Sequence, residues 1–137
     1  MTQGHPNAVA GNKRPFNTII PGFVMRDGAP LMSFGVMGGH MQAQGHVQMM
    51  VRVFTYHQNP QAASDAPRWY IDDYGDLVFE EGFDEAVIRD LTDRRGHALS
   101  DNQPQFSFGG AQLIYRLDDG SYCAASDHRK EGQAVGY

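Results

Sequence analysis

The sequence predicts an α+β fold in which antiparallel hairpins build a sheet and helices pack beside it as a separate layer. Three observations carry this. Apolar, strand-like runs near each end flank Asp-Gly turns, at Asp27-Gly28 and at Asp118-Asp119-Gly120. Between them lies a run with helical apolar spacing. The strands and helices do not alternate, as they would in a doubly wound parallel sheet. The 137 residues suit a single domain spanning 1–137, with no repeat and no linker to divide it.

The elements follow in order. Residues 1–15 form an irregular lead-in, broken by Gly4, Pro6, Asn7, Gly11, Asn12 and Pro15. Residues 18–25 are β-branched and apolar but interrupted by Pro21 and Gly22, so they predict an edge strand or a bulged one. With residues 31–37 they make the first hairpin. Gly38-Gly39 ends it, and a helix begins near Gln42. There Val47, Met50, Val51 and Phe54 keep helical spacing, while Met49, Val53 and Tyr56 add a second stripe. Gln48, Arg52 and Thr55 are left for a narrow polar face, so this helix is expected to be covered on two sides.

Asn59-Pro60 reads as the N-cap and first residue of a short helix to Ser64. Short strands are expected at residues 69–71 and 77–79. Asp84 caps a further helix to about Arg95, with Phe83 and Ile88 placed for a hydrophobic staple and Gly96 as terminator. Arg94 and Arg95 suit the negative end of its dipole. Residues 111–117 and 121–125 form the second hairpin, and 126–137 read as an irregular polar tail.

Charge and composition exclude several functions. Eleven Lys and Arg against 16 Asp and Glu give a net charge of −5, which argues against nucleic acid or an anionic membrane surface as partner. With 41% hydrophobic and 20% charged residues the chain is too apolar for intrinsic disorder. No apolar run approaches the ~20 residues of a membrane-spanning helix. Residues 1–11 lack an export signal, which favours the cytoplasm for this chain, with a periplasmic full-length form as the alternative. The lone Cys123 excludes an intrachain disulfide and reads as a small buried hydrophobe.

Candidate chemistry is sparse. Six histidines (5, 40, 46, 57, 97 and 128) lack metal-ligand spacing, so no metal site is expected. Asp65 with Arg68, and Asp127 with Arg129, read as structural ion pairs or loop anchors. Asp72, Asp73 and Asp76 read as exposed turn acids, and Trp69 and Tyr70 as core. By themselves Gly38 and Gly39 indicate a turn between strand and helix, a place where backbone N–H groups can meet an anion.

Three stretches resemble the gamma-glutamyltranspeptidase family of N-terminal-nucleophile hydrolases. The first is Asn12-Lys13-Arg14-Pro15-Phe16-Asn17-Thr18-Ile19-Ile20-Pro21. The second is Gly35-Val36-Met37-Gly38-Gly39, running through Gln42, His46 and Gln48 to Asn59-Pro60 and Asp65-Ala66-Pro67-Arg68. The third is Gly109-Gly110-Ala111-Gln112 with Ala125-Ser126-Asp127-His128-Arg129 and Gly136-Tyr137. The run Met37-Gly38-Gly39-His40-Met41-Gln42 looks most like the acylase-like bacterial branch.

The resemblance implies an αββα sandwich, of which this chain supplies part, and a reaction transferring an acyl group from an amide to water or an amine. No cofactor is implied. Family members cleave themselves into a large and a small subunit, and the new N-terminal Thr of the small subunit attacks, its α-amine acting as base. This chain resembles the C-terminal part of the small subunit, so the rest of that subunit and the large subunit are the implied partners, with a γ-glutamyl or other acyl amide as substrate. Gly38 and Gly39 match the oxyanion-hole pair. Asn17 and Thr18 stand where the family has paired serines that hold the γ-glutamyl carboxylate, which leaves room for a different acyl group. His40 follows the glycines and is a candidate pocket residue. Thr2 would become N-terminal on Met removal, but its turn-like surroundings argue against a nucleophile. The alternative function is a non-catalytic module that assembles with a separately encoded partner; a small-anion binder using the Gly38-Gly39 amides is a third. An uncovered apolar face would also promote self-association.

Overall fold

The computed structural model describes residues 4–101 and 108–137. Its centre is a four-stranded antiparallel sheet in the order β1-β2-β5-β6. β1 (Gly22–Arg26) and β2 (Ala29–Met37) form the first hairpin, and β5 (Gly110–Arg116) and β6 (Tyr122–Ser126) the second. The expected hairpins are therefore present, and β2 pairs with β5 to join them. β1 is an edge strand whose register slips between Val24 and Met25. It starts at Gly22 and not at residue 18, because Pro21 has no N–H for a ladder.

Helices α1 (Met41–Phe54) and α2 (Pro60–Asp65) lie on one face of this sheet. Met32, Phe34 and Val36 of β2, with Ala111 and Leu113 of β5 and Ala125 of β6, pack against Met49 and Val53. The alternation of β2 sends every second residue to the other face. There Phe23, Ser33, Ile114 and Ala124 form one cross-strand row. Phe23 is 61% exposed and Ile114 51% exposed. The sheet thus has one face under helices and, among the described residues, one face that carries no helix. One helical layer and one sheet layer of a layered α+β sandwich are on view.

The long helix departs from expectation in orientation. Val47 and Tyr56, assigned to apolar stripes, are 60% and 68% exposed, while Gln48 is buried. Only one side of α1 meets the core. The other inward groups, Gln44, Gln48 and Arg52, serve backbone rather than solvent. Gln44 accepts from Ile71 N–H at 2.7 Å and donates to Ile71 C=O at 3.1 Å. Gln48 does the same for Trp69, at 3.3 and 2.7 Å. Two glutamines one helical turn apart thereby act as a partner strand for β3 (Trp69–Ile71), which pairs on its other edge with β4 (Leu77–Phe79).

Close approach of α1 to β2 is set by Gly45. A Cβ there would lie 2.6 Å from Val36 Cγ1 and 3.0 Å from Val36 Cβ. Gly45→Ala gains about 1 kcal/mol of helix propensity, yet the overlap with a stiff β-branched neighbour costs about 1–3 kcal/mol. The expected result is a net loss in urea melts that shrinks on a Val36→Ala background. A stabilised Gly45→Ala protein would mean that the two elements are not held at this distance.

Helix α3 (Glu85–Arg89) is capped by Asp84, whose carboxylate accepts from Ala86 N–H at 2.8 Å, and widens into a π turn at Asp90–Arg94. Arg94 and Arg95 fold back on Asp90 instead of reaching the terminal carbonyls. After β6 the tail is not simply irregular and polar. A 3₁₀ turn spans His128–Lys130, and Asp127 before it is fully buried.

Candidate functional site: the glycine turn between β2 and α1

The chain leaves β2 through Gly38 (φ +128°) and Gly39 (φ +60°), conformations that side chains with a Cβ rarely adopt. The carbonyls of both glycines accept from the next helical turn, Met41 N–H and Gln42 N–H, each at 3.1 Å. Among the described residues, no hydrogen bond uses the N–H of Gly38, Gly39 or His40 as donor. Three successive amides are therefore free at the positive end of a 14-residue helix. A Cβ on Gly39 would meet nothing within 4 Å, whereas one on Gly38 would lie 2.9 Å from Gly109 Cα. The two glycines have different reasons to be glycine: Gly38 packs against backbone, and Gly39 lies against open space.

The segment carrying Asn17 and Thr18 is tied to this turn. Gln42 Nε2 donates to Thr18 C=O at 2.9 Å and to Gly39 C=O at 3.3 Å. Asn17 Nδ2 donates to Ile19 C=O at 3.1 Å, so its amide is engaged by its own strand of chain. Both residues are exposed. His40 is exposed too, at the start of α1, and its ring makes no capping bond. The sequence marks Gln42 as the helix start and as part of the family-like run but gives it no role at the site; its bonds to Thr18 and Gly39 supply one. An open trough of about 550 Å³ on the helix-free sheet face runs alongside, lined by Ile19, Ile20, Met37, Gln42, Ile114 and Val135 among others. The glycines themselves are not among its lining residues; their neighbours Met37 and Gln42 are.

Behind the turn sits a buried ionic cluster in which the expected Asp127–Arg129 pair is present and the Asp65–Arg68 pair is not. Arg68 bonds not to Asp65 but to Asp127, and both side chains are 0% exposed. Asp65 instead meets His128 at 3.1 Å. Arg129 grips both oxygens of Glu80, each at 2.6 Å, and also reaches Asp127. Arg52 donates to the carbonyls of Ala63 and Ala66, at 3.0 and 3.1 Å, and to that of Pro67. Burial, then the nearby Arg68 and Arg129, pull its guanidinium down to about 10, still protonated at neutral pH. Burial alone would raise the Asp127 carboxyl. The Ala111 amide and the adjacent Arg68 charge outweigh it, and the net shift is downward.

The remaining candidates do not join the site. His46 stacks obliquely on Phe34 with ring centroids 4.9 Å apart, and burial lowers its pKa. Asp72 caps its own turn, accepting from Tyr74 N–H at 2.9 Å and Asp76 N–H at 3.0 Å. Cys123, Trp69 and Tyr70 are half-buried. Among the described residues, no group of three His, Cys, Asp or Glu is placed to hold a metal ion. No helix among them is long and apolar enough to cross a membrane. Thr2 lies outside the described residues.

The sequence matches the gamma-glutamyltranspeptidase family over residues 1–137. It is 31% identical over 144 residues to the glutathione hydrolase-like YwrD proenzyme of Bacillus subtilis (strain 168), covering 99% of this chain and 27% of that protein. To the glutathione hydrolase proenzyme of Escherichia coli (strain K12) it is 32% identical over 133 residues, covering 94% of this chain and 22% of that one. The fold superposes on cephalosporin acylase from Bacillus halodurans with a TM-score of 0.82 and 38% identity, covering 98% of this chain and 25% of the acylase. The chain thus spans about a quarter of the length of the relatives it matches.

Proposed function

Because the chain belongs to the gamma-glutamyltranspeptidase family, we propose that it is the scaffold half of an amide hydrolase or acyl transferase centre, with Gly38 and Gly39 as its oxyanion hole. The free N–H groups of Gly38, Gly39 and His40 beside the apolar trough carry this reading. As a threonine Oγ adds to a substrate carbonyl, negative charge gathers on the carbonyl oxygen. Backbone amides that have no partner among the described residues can donate to it without first breaking a hydrogen bond. The threonine's own α-amine takes the hydroxyl proton and returns it to the leaving amine, and water or an acceptor amine then releases the acyl group.

In this reading the attacking Thr belongs to polypeptide outside these 137 residues. Asn17, Thr18 and His40 form part of the wall around the acyl group. Gln42 fastens that wall to the oxyanion turn through its paired bonds to Thr18 and Gly39. Asn17 already uses its amide on Ile19, which weakens the case for a tightly held γ-glutamyl carboxylate. The helix-free sheet face, with Phe23 and Ile114 outward, is where the partner layer stacks.

The test is turnover of γ-glutamyl and glutaryl p-nitroanilides. The 137-residue chain alone is expected to be inactive. The same chain assembled with the remaining small-subunit and large-subunit segments of a family member is expected to be active, and Gly39→Ala, which keeps its N–H but strains the left-handed turn that sets its direction, to lower kcat about tenfold with KM little changed. Turnover by the isolated chain that Thr2→Ala abolishes would place the nucleophile here after all. An unchanged kcat in the Gly39→Ala enzyme would remove the oxyanion assignment.

A further inference from the structure

We infer that the buried Arg68–Asp127 pair is a positioning device for the Gly38–Gly39 turn, acting through residues 108–111. Its functional meaning rests on the oxyanion-hole reading; its geometry does not. Arg68 Nη1 donates to Phe108 C=O at 2.7 Å, and Asp127 Oδ2 accepts from Ala111 N–H at 2.7 Å. The two ends of one ion pair thus hold the chain on either side of Gly109-Gly110. That dipeptide is in turn pressed against the glycine turn. A Cβ on Gly109 would lie 2.0 Å from Met37 C=O, and one on Gly38 would lie 2.9 Å from Gly109 Cα.

The pair is itself held rigidly. Arg68 Nη2 also donates to Ser64 C=O at 2.9 Å, and Arg68 N–H donates to Glu80 at 2.9 Å. Asp127 Oδ1 takes the Arg129 N–H at 2.9 Å. Displacing the Asp127 carboxylate moves Ala111 N–H, and Gly109 cannot move without disturbing Met37 and Gly38, since no side chain lies between the backbones to absorb the shift. A buried ion pair is seldom favoured for stability over a hydrophobic pair of the same shape. Here its hydrogen bonds fix two points of a backbone that touches the proposed site. Neither residue faces the trough, so both are positioning residues and neither is catalytic.

Amide NMR of the chain reads this directly, with Asp127→Asn, which keeps the side-chain shape, and Arg68→Lys, which keeps the charge but not the guanidinium fork. Both are expected to shift the Gly38, Gly39 and His40 resonances. Exchange at the Met41 and Gln42 amides, bonded to the glycine carbonyls, should rise about tenfold. Gly28 and Gly120, at the two hairpin turns, should keep their positions. Shifts confined to residues 108–111 and 127, or spread equally to Gly28 and Gly120, would overturn the inference. Should both variants unfold, native-state exchange of the unaltered chain decides: Ala111 and Met41 opening together with denaturant supports coupling, and independent openings overturn it. In the assembled enzyme Arg68→Lys should lower kcat and leave KM near its original value. A Gly39→Ala enzyme with full kcat would defeat the oxyanion reading yet leave the measured coupling standing. Sensitivity to Gly39 without coupling would defeat this inference alone.

Discussion

Asp127→Asn is expected to remove about 3–5 kcal/mol of folding stability at neutral pH, because it leaves the Arg68 charge buried without its partner. Asp127 accepts from Ala111, Arg129 and Arg68, so no rearrangement within the turn restores all three bonds. The loss carries a pH signature. The folded Asp127 carboxyl titrates below the ordinary carboxylate value of about 3.9. The ionised form is the one the native state prefers, so its contribution is whole above about pH 4 and fades as pH falls through the lowered native value. Asp72, Asp90 and Asp119 are shifted in the same direction and add to the acid sensitivity of both proteins. The difference between original and variant isolates Asp127. Urea midpoints from pH 7 to pH 3 should therefore show a wide gap that narrows in acid. A gap of constant width would mean that the carboxylate charge is not what the fold uses.

Gly109→Ala should cost about 3 kcal/mol, from a left-handed residue gaining a Cβ and from overpacking against a backbone oxygen. At φ +69° the new methyl carbon would sit 2.0 Å from Met37 C=O, and no rotamer relieves a Cβ. A fall in Tm of roughly 10 °C is the matching expectation for a chain of this size. Gly120→Ala is the control: it shares a positive φ, +88°, but faces open space, so only the backbone strain applies. Equal losses at the two positions in thermal melts would show that strain alone matters and that the approach of residue 109 to Met37 is loose.

These predictions concern residues that the sequence names unequally well. The glycine turn, the two hairpins and the caps at Asn59 and Asp84 were legible because each is decided within a few residues, by φ, by a missing N–H, or by a side-chain oxygen beside free amides. The side of α1 that meets the core was not. Its apolar residues run nearly all round, and spacing cannot choose between two stripes. Gln44 and Gln48 face inward only because β3 offers an unpaired edge there. The Arg68–Asp127 pair was missed for a related reason: the sequence places Asp65 nearer to Arg68, and no local pattern points across 59 residues.

What the sequence determined by itself is the order of elements, the two hairpin turns and the glycines that release the chain from β2 into α1. Those features follow from local conformational preference, which acts over a handful of bonds. The tertiary structure alone decided which helix face is inside, which acid answers which arginine, and that Gly109 is the surface on which Gly38 rests. Each of these depends on the sheet bringing β2, β5 and the end of β6 side by side. Contacts made by packing between distant segments leave no periodic mark in the chain that makes them.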